Sequence, residues 1–455
     1  MNKILEVMLI IFLIIGGISP AFGQAPNYDK MDKITREKIL AGASGIDVII
    51  EFYQINDTSM ALIPKEKILG QYMALNSIHA ILTSEEIKNI SSSNYVKNIW
   101  YNIPGLEAFG YMGADTIKAS PLYTIGYKGN GVTVAVLDTG IHDTHVEFPQ
   151  GKILYQYDFV NNDPIAEDTS GHGTFVSGII SGQAYTTADW AGYVNYLDTT
   201  PTNTTGVAPD TKLVVLKTVP GDLSVFLNAC NWLILNTEKY NIRVVNMSAG
   251  WNVTSIQSNG WPLDGTDPAS MAANSVVEKG IVWVNSAGNE GPNSDTICAP
   301  GRAKNVITVA NAIDREVSLN GLVTIKKASL SIANGSSRGG GKSGLKPDIS
   351  APGTTILSAT ASSDSSYDFM SGTSMAAPFV TGGCAIILQR HPNWTPYQVK
   401  LAIMRTATQI PNASVYEQGA GMINVQKAFS YRQDFERASV IPRILAILKK
   451  NNENN

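Results

Sequence analysis

The chain has 455 residues, 44% of them hydrophobic and 16% charged, and a formal net charge of −4. That length exceeds one ordinary domain and leaves room for a large α/β core with a small accessory unit. The weakly acidic balance supplies no electrostatic footprint for nucleic acid, and three scattered cysteines, Cys230, Cys298 and Cys384, allow at most one bridge and neither a disulfide framework nor a zinc site.

At the N-terminus, Lys3 precedes an apolar run over 7–18 and the small-residue stretch Ala21-Phe22-Gly23, the pattern of a secretory signal cut before Gln24. The run is short for a membrane span; retention as an uncleaved anchor is the alternative, because Glu6 weakens the positive n-region. No later segment is long and apolar enough to span, so a secreted or extracellular protein with no stable membrane span after signal removal is expected. Residues 46–52, 77–82 and 96–101 then read as short strands, and Thr83 and Glu86 stand at capping-box spacing before a helical turn over 84–90. These elements predict a compact α+β unit. Downstream, apolar runs at 132–137, 213–216, 244–247, 281–285 and 306–309 alternate with helical patterns that include 225–235 and 269–278. The alternation predicts an α/β fold with a doubly wound, mainly parallel sheet and helices on both faces. Cys230 and Cys384 fall in apolar helical patterns and read as small buried hydrophobes. The tail, 431–455, carries a short apolar run at 444–448 and reads as a packed terminal helix; the run covers barely two turns, a poor basis for a membrane-surface role.

Three segments carry chemistry. In Ser371-Gly372-Thr373-Ser374-Met375-Ala376-Ala377-Pro378, Ser374 sits where a glycine-flexed loop becomes a small-residue helix, whose unpaired first-turn amides face the hydroxyl. The run 132–137 ends in Asp138, a carboxylate at the carboxyl end of a buried strand. His172, flanked by glycines, opens a further helix. Singly, Asp138 could cap a turn, His172 could be a packed histidine and Ser374 could cap a helix. Jointly they supply a nucleophile, a base and the carboxylate that orients the base.

Asp138, His172 and Ser374 in that order, together with Asn289 in Ser286-Ala287-Gly288-Asn289-Glu290-Gly291-Pro292, resemble the motifs of the subtilisin-like serine proteases, the subtilase family. The resemblance covers roughly 125–429, and the phrase over 76–87 is similar to the inhibitory propeptide of such enzymes, with weaker likeness back to about Gly45. It implies a signal peptide (1–23), a propeptide (24–105, its end between 101 and 112), a catalytic domain (106–430) and a C-terminal tail (431–455). The propeptide would be cut by the enzyme itself, so polypeptide substrates and the chain's own propeptide are the expected partners.

By the same resemblance, Asn289 and the backbone amide of Ser374 form the oxyanion hole. Ser248, Ala249 and Gly250 form one wall of the primary side-chain pocket, Ala287 and Gly288 the other, with Cys298 near its floor. No acidic residue occupies that floor, so apolar or medium-sized side chains are expected in preference to Lys or Arg, softened by Glu290 and Asp295 nearby. Phe175 stands where the family's motif commonly has a second histidine, and 220–223 is shorter than the usual cleft segment, which puts the outer subsites in doubt. No metal is needed for the chemistry; structural calcium is expected of many members, with Glu147 the one nominated ligand, although the matching loop over 200–206 lacks the carboxylates of a strong calcium site. His142, His145 and Glu147 lie in a turn rather than on a zinc-protease helix, and Gly339-Gly340-Gly341-Lys342-Ser343 has Ser336 where a phosphate loop needs its first glycine, so both read as ordinary loops. Activity should rise as His172 loses its proton, near about pH 6.5 in a mild environment. A catalytically silent protein on the same scaffold and an esterase are the competing readings; the intact quartet opposes the first and the propeptide-like unit the second.

Overall fold

A computed structural model describes residues 25–31, 33–72, 76–101, 116–183, 205–318 and 324–432. The expected signal, the segment containing the expected cut, most of the loop 200–206 and the tail from 433 lie outside the described residues. The chain divides into two compact units at Glu107/Ala108.

In the first unit, β1 (Ile46–Phe52), β2 (Ile68–Tyr72), β3 (Ser77–Leu82) and β4 (Val96–Tyr101) form an antiparallel sheet in the order β2-β3-β1-β4. Ile46, Val48, Ile50 and Phe52 are buried whereas Asp47 and Glu51 are not, the period of two that puts alternate side chains on opposite faces. The buried row packs with Ile87 and Ile90 of the helix Ser84–Ser91. That helix starts with a complete capping box: Glu86 N donates to Thr83 Oγ1 at 3.3 Å and Thr83 N to Glu86 Oε2 at 2.8 Å.

The second unit is built on a sheet comprising β5 (Thr133–Asp138), β6 (Ile153–Asp158), β7 (Lys212–Lys217), β8 (Ile242–Met247), β9 (Val282–Ser286), β10 (Ile307–Ser318), β11 (Thr324–Ile332) and β12 (Ile349–Pro352). Its order is β11-β10-β9-β8-β5-β7-β6, with β12 also on β10; every pairing is parallel except β10 with β11. β5 shows why the strands read as unbroken apolar runs. Val134 and Val136 join a core that contains the helices His172–Ser181 and Thr373–Arg390, while Ala135 and Leu137 join another under the helices Leu223–Tyr240 and Pro268–Glu278. Both faces are covered, so no polar alternation survives.

Several strands of this unit, β6, β11 and β12 among them, lie outside the expected element list. β6 is an edge strand of half-exposed residues without a continuous apolar run, and β10 extends far past residue 309 into a hairpin with β11. The three cysteines are buried and unbridged.

Candidate active site

β5 ends at Asp138, between β7 and β8, where the strand order reverses, and loops from the carboxyl ends of β8 and β9 lead to Ser248 and to Ala287-Gly288-Asn289. A crevice at such a switch point is where an open α/β sheet can gather side chains from several strands. Asp138 is fully buried, and its Oδ1 lies 2.6 Å from His172 Nδ1 and accepts from Thr139 N at 2.8 Å. A carboxylate only accepts, so the imidazole carries its proton on Nδ1 and presents Nε2 as the basic atom.

His172 is the first residue of its helix, after Gly171 in the left-handed region at φ 85°, a conformation glycine adopts without strain. Burial of the ring disfavours its charged form, but the charge of Asp138, their hydrogen bond and the charge of Asp168 outweigh it and raise the pKa above the ordinary value of 6.5. The surroundings are therefore not mild, and the acidic limb of any His172-dependent rate should have its midpoint above 6.5, not at it. A profile of kcat/KM against pH on an uncharged peptide checks this; a midpoint at or below 6.5 would contradict it. For stability the sign is opposite: a raised pKa contributes below the unfolded value and is lost as pH rises through the folded one.

Ser374 is the second residue of the helix Thr373–Arg390. Pro378 lies four residues on and has no N–H to donate to the Ser374 carbonyl, which instead accepts from Ser248 Oγ at 2.8 Å. In return Ser374 Oγ donates to the Ser248 carbonyl at 2.9 Å. The two serines thus exchange hydrogen bonds between their hydroxyls and each other's carbonyls. Ser248 is held in turn by Asn246 Nδ2 at 3.0 Å, and Asn246 Oδ1 accepts from Thr381 Oγ1 at 2.8 Å.

Asn289 is exposed at the end of its turn. Its Oδ1 accepts from Thr373 N at 3.0 Å and Thr373 Oγ1 at 3.1 Å, and the same hydroxyl accepts from Gly288 N at 3.1 Å. These bonds orient the carboxamide and leave Nδ2 as its outward donor. Ser337 grips the turn on both sides of Asn289, through Gly288 O at 2.9 Å and Glu290 N at 3.0 Å.

Around the expected pocket, Trp251 and Ala299 exchange two backbone hydrogen bonds, and Cys298 N donates to Ala287 O at 3.0 Å. The loop bearing Cys298 therefore bridges both walls. A Cβ on Gly250 would lie 2.8 Å from Cys298 Sγ, and one on Gly288 would lie 3.4 Å from Cys298 Cβ. Burial pushes the Cys298 thiol up to about 12, and Sγ donates to Ser286 O at 3.3 Å. Glu290 Oε2 accepts from Val253 N, while Asp295 pairs with the buried Arg302 at 2.9 Å and accepts from Lys342 N and Ser343 N. The glycine-rich stretch 339–343 is thus occupied by a carboxylate of the chain itself.

Glu147 is buried, with Oε1 accepting from Tyr367 OH at 2.7 Å. His145 is held by Ser366 O and Glu147 N, and His142 by Asp364. Among the described residues no group of three or more His, Cys, Asp and Glu could hold a metal ion, and most of the loop 200–206 lies outside them, so no chemical step is derived through a metal at Glu147. A groove of about 1000 Å³ between Ala328–Ile332 and Gln409–Ala413 contains none of the residues above.

The sequence reading missed Asp168, which bonds to Ser170, Gly171 and Thr174 nearby and to Thr139 across 29 positions, and Thr373 and Ser337, which order the Asn289 turn from far along the chain. Pro378 carried a local signal, as the missing donor to Ser374.

A family model described as the subtilase family matches residues 129–421. Subtilisin E of Bacillus subtilis is 31% identical over 370 residues, covering 80% of this chain and 83% of its own. Subtilisin of Bacillus pumilus is 33% identical over 321 residues, covering 70% and 97%, and serine protease AprX of Bacillus subtilis is 28% identical over 423 residues, covering 86% and 89%. Among solved structures, fervidolysin from Fervidobacterium pennivorans, a keratinolytic enzyme related to subtilisin, aligns with a TM-score of 0.54 at 21% identity. That likeness is one of fold; the alignment covers 86% of this chain and 62% of fervidolysin.

Proposed function

The chain belongs to the subtilase family and is a serine endopeptidase; from that premise we propose that it is secreted as a precursor, removes its own first unit, and cleaves polypeptides through an acyl-enzyme on Ser374. The observation that carries this reading is the 2.6 Å contact of Asp138 with His172 at the carboxyl end of β5, supported by the neighbouring end of β8, where Ser248 bonds Ser374. In the reaction Ser374 Oγ leaves the Ser248 carbonyl, gives its proton to His172 Nε2 and bonds to the substrate carbonyl carbon. The carbonyl oxygen becomes an oxyanion held by Asn289 Nδ2 and Ser374 N, an amide too early in the helix to have an internal partner. His172, paired as imidazolium with Asp138, then protonates the departing amine, and water repeats the sequence on the acyl-enzyme. Subtilisin-like proteases need no cofactor for this chemistry.

The first unit, a separate compact α+β fold, is read as the propeptide and 1–23 as the export signal; no helix among the described residues is long and apolar enough to cross a membrane. Mass spectrometry of the full-length protein and its Ser374→Ala variant after parallel incubation tests self-processing. Loss of roughly the first hundred residues in the parent alone is expected. Cutting of both chains alike would point to an outside protease.

Apolar side chains are proposed before the scissile bond, because Glu290 and Asp295 are both engaged elsewhere and the floor residue is the neutral Cys298. Cys298→Gly is expected to deepen the pocket and raise kcat/KM for Phe over Ala at that position by about tenfold. An unchanged ratio would remove Cys298 from the pocket.

A further inference from the structure

Asp168 precedes His172 by four residues, is 6% exposed, and accepts five hydrogen bonds, all from neutral donors. Thr139 Oγ1 (2.8 Å), Ser170 N (3.1 Å) and Gly171 N (2.8 Å) reach Oδ1; Thr174 N (2.8 Å) and Thr174 Oγ1 (2.6 Å) reach Oδ2. Gly171, the cap of the His172 helix, has no side chain to satisfy the first-turn amides, and Asp168 does this in its place through Thr174 N.

The two threonine hydroxyls carry the arrangement further. Thr139 follows Asp138, and its Oγ1 accepts from Gly173 N at 2.9 Å; Thr174 follows His172 by two, and its Oγ1 accepts from His142 N at 2.9 Å. Each hydroxyl gives its hydrogen to Asp168 and offers a lone pair to an amide of the opposite segment. The Asp138 and His172 segments are thus laced in both directions through one carboxylate. They approach so closely that a Cβ on Gly173 would lie 2.2 Å from Gly140 O.

Only an ionised carboxylate sets this direction, because it accepts at both oxygens and turns both hydroxyl hydrogens toward itself. Burial opposes the Asp168 charge, but the bonds from Thr174, Thr139 and Gly171 outweigh it and hold its pKa below the ordinary carboxylate value. An amide there would turn donors against Thr174 N and Thr174 Oγ1.

We propose that Asp168 is a positioning residue for proteolysis, its carboxylate locking the His172 backbone to the loop after Asp138 so that the imidazole keeps the orientation that proton transfer requires. This rests on His172 being the base. The charged groups bearing on His172 are Asp138 in contact and Asp168 behind it.

The test uses the full-length chain and its Asp168→Asn, Thr139→Val, Thr139→Ser and Ser374→Ala variants. kcat and KM are measured on an uncharged peptide amide from about pH 5 to about pH 9, and rates are referred to the folded fraction measured by circular dichroism. Asp168→Asn is expected to lower kcat by about tenfold or more with KM nearly unchanged, and to move the acidic midpoint to lower pH because a negative charge is lost. Thr139→Val should lower kcat while keeping the parent midpoint, and Thr139→Ser should restore the parent rate. If Asp168→Asn does not fold, the Thr139 pair decides. Parent-like kcat in folded Asp168→Asn and Thr139→Val would overturn the assignment, as would a Thr139→Ser no better than Thr139→Val. A parent whose activity survives Ser374→Ala would instead defeat the underlying reading, and this inference with it.

Discussion

Ser374→Ala is expected to lower turnover by about a million-fold, a magnitude taken over from subtilisin, while KM changes little. Without the hydroxyl no acyl-enzyme forms, and His172 and Asp138 have no proton to move. The near-constant KM follows because Ser374 Oγ is bonded to the Ser248 carbonyl before it attacks. Loss of that half-buried bond should cost about 1 kcal/mol of stability, too little to unfold the unit. Turnover of a chromogenic peptide measured with excess variant, together with an unchanged far-ultraviolet spectrum, checks both halves. Activity above about one hundredth of the parent would exclude Ser374 as the nucleophile.

Asn289 gives the second largest effect. Asn289→Ala should reduce kcat by about 10²- to 10³-fold, again the magnitude established for subtilisin. Asn289→Asp is the sharper substitution. It preserves the acceptor for Thr373 N and Thr373 Oγ1, and with it the shape of the turn, but places an acceptor where Nδ2 would donate. Repulsion between that carboxylate and a developing oxyanion should make its kcat no higher than that of Asn289→Ala, with substrate binding preserved. An Asn289→Asp enzyme close to the parent would mean that the oxyanion forms elsewhere.

Legibility followed the range of the interaction responsible. The capping box at Thr83 and Glu86 was readable because its partners are three residues apart, and β5, β8 and β9 were readable because burial on both faces leaves an unbroken apolar run. β6 was not, since Ile153-Leu154-Tyr155-Gln156-Tyr157-Asp158 pairs along one edge only and mixes polar with aromatic residues. β13 (Ile356–Ala359) and β14 (Tyr367–Met370) escaped for a related reason: they are short, and a serine-rich turn separates them.

Within the site the same division holds. The residue types, their chain order, the strand end at Asp138, the helix start at Ser374 and the missing donor at Pro378 were all written in local sequence, because each depends on neighbours within a turn or a strand. The direction of the His172 pKa shift, the engagement of Ser374 with Ser248 across 126 positions and the hub at Asp168 were settled only when the chain folded. Electrostatic and hydrogen-bond energies depend on separation in space, and spacing along the chain does not reveal which distant carbonyl, hydroxyl or carboxylate will arrive within 3 Å.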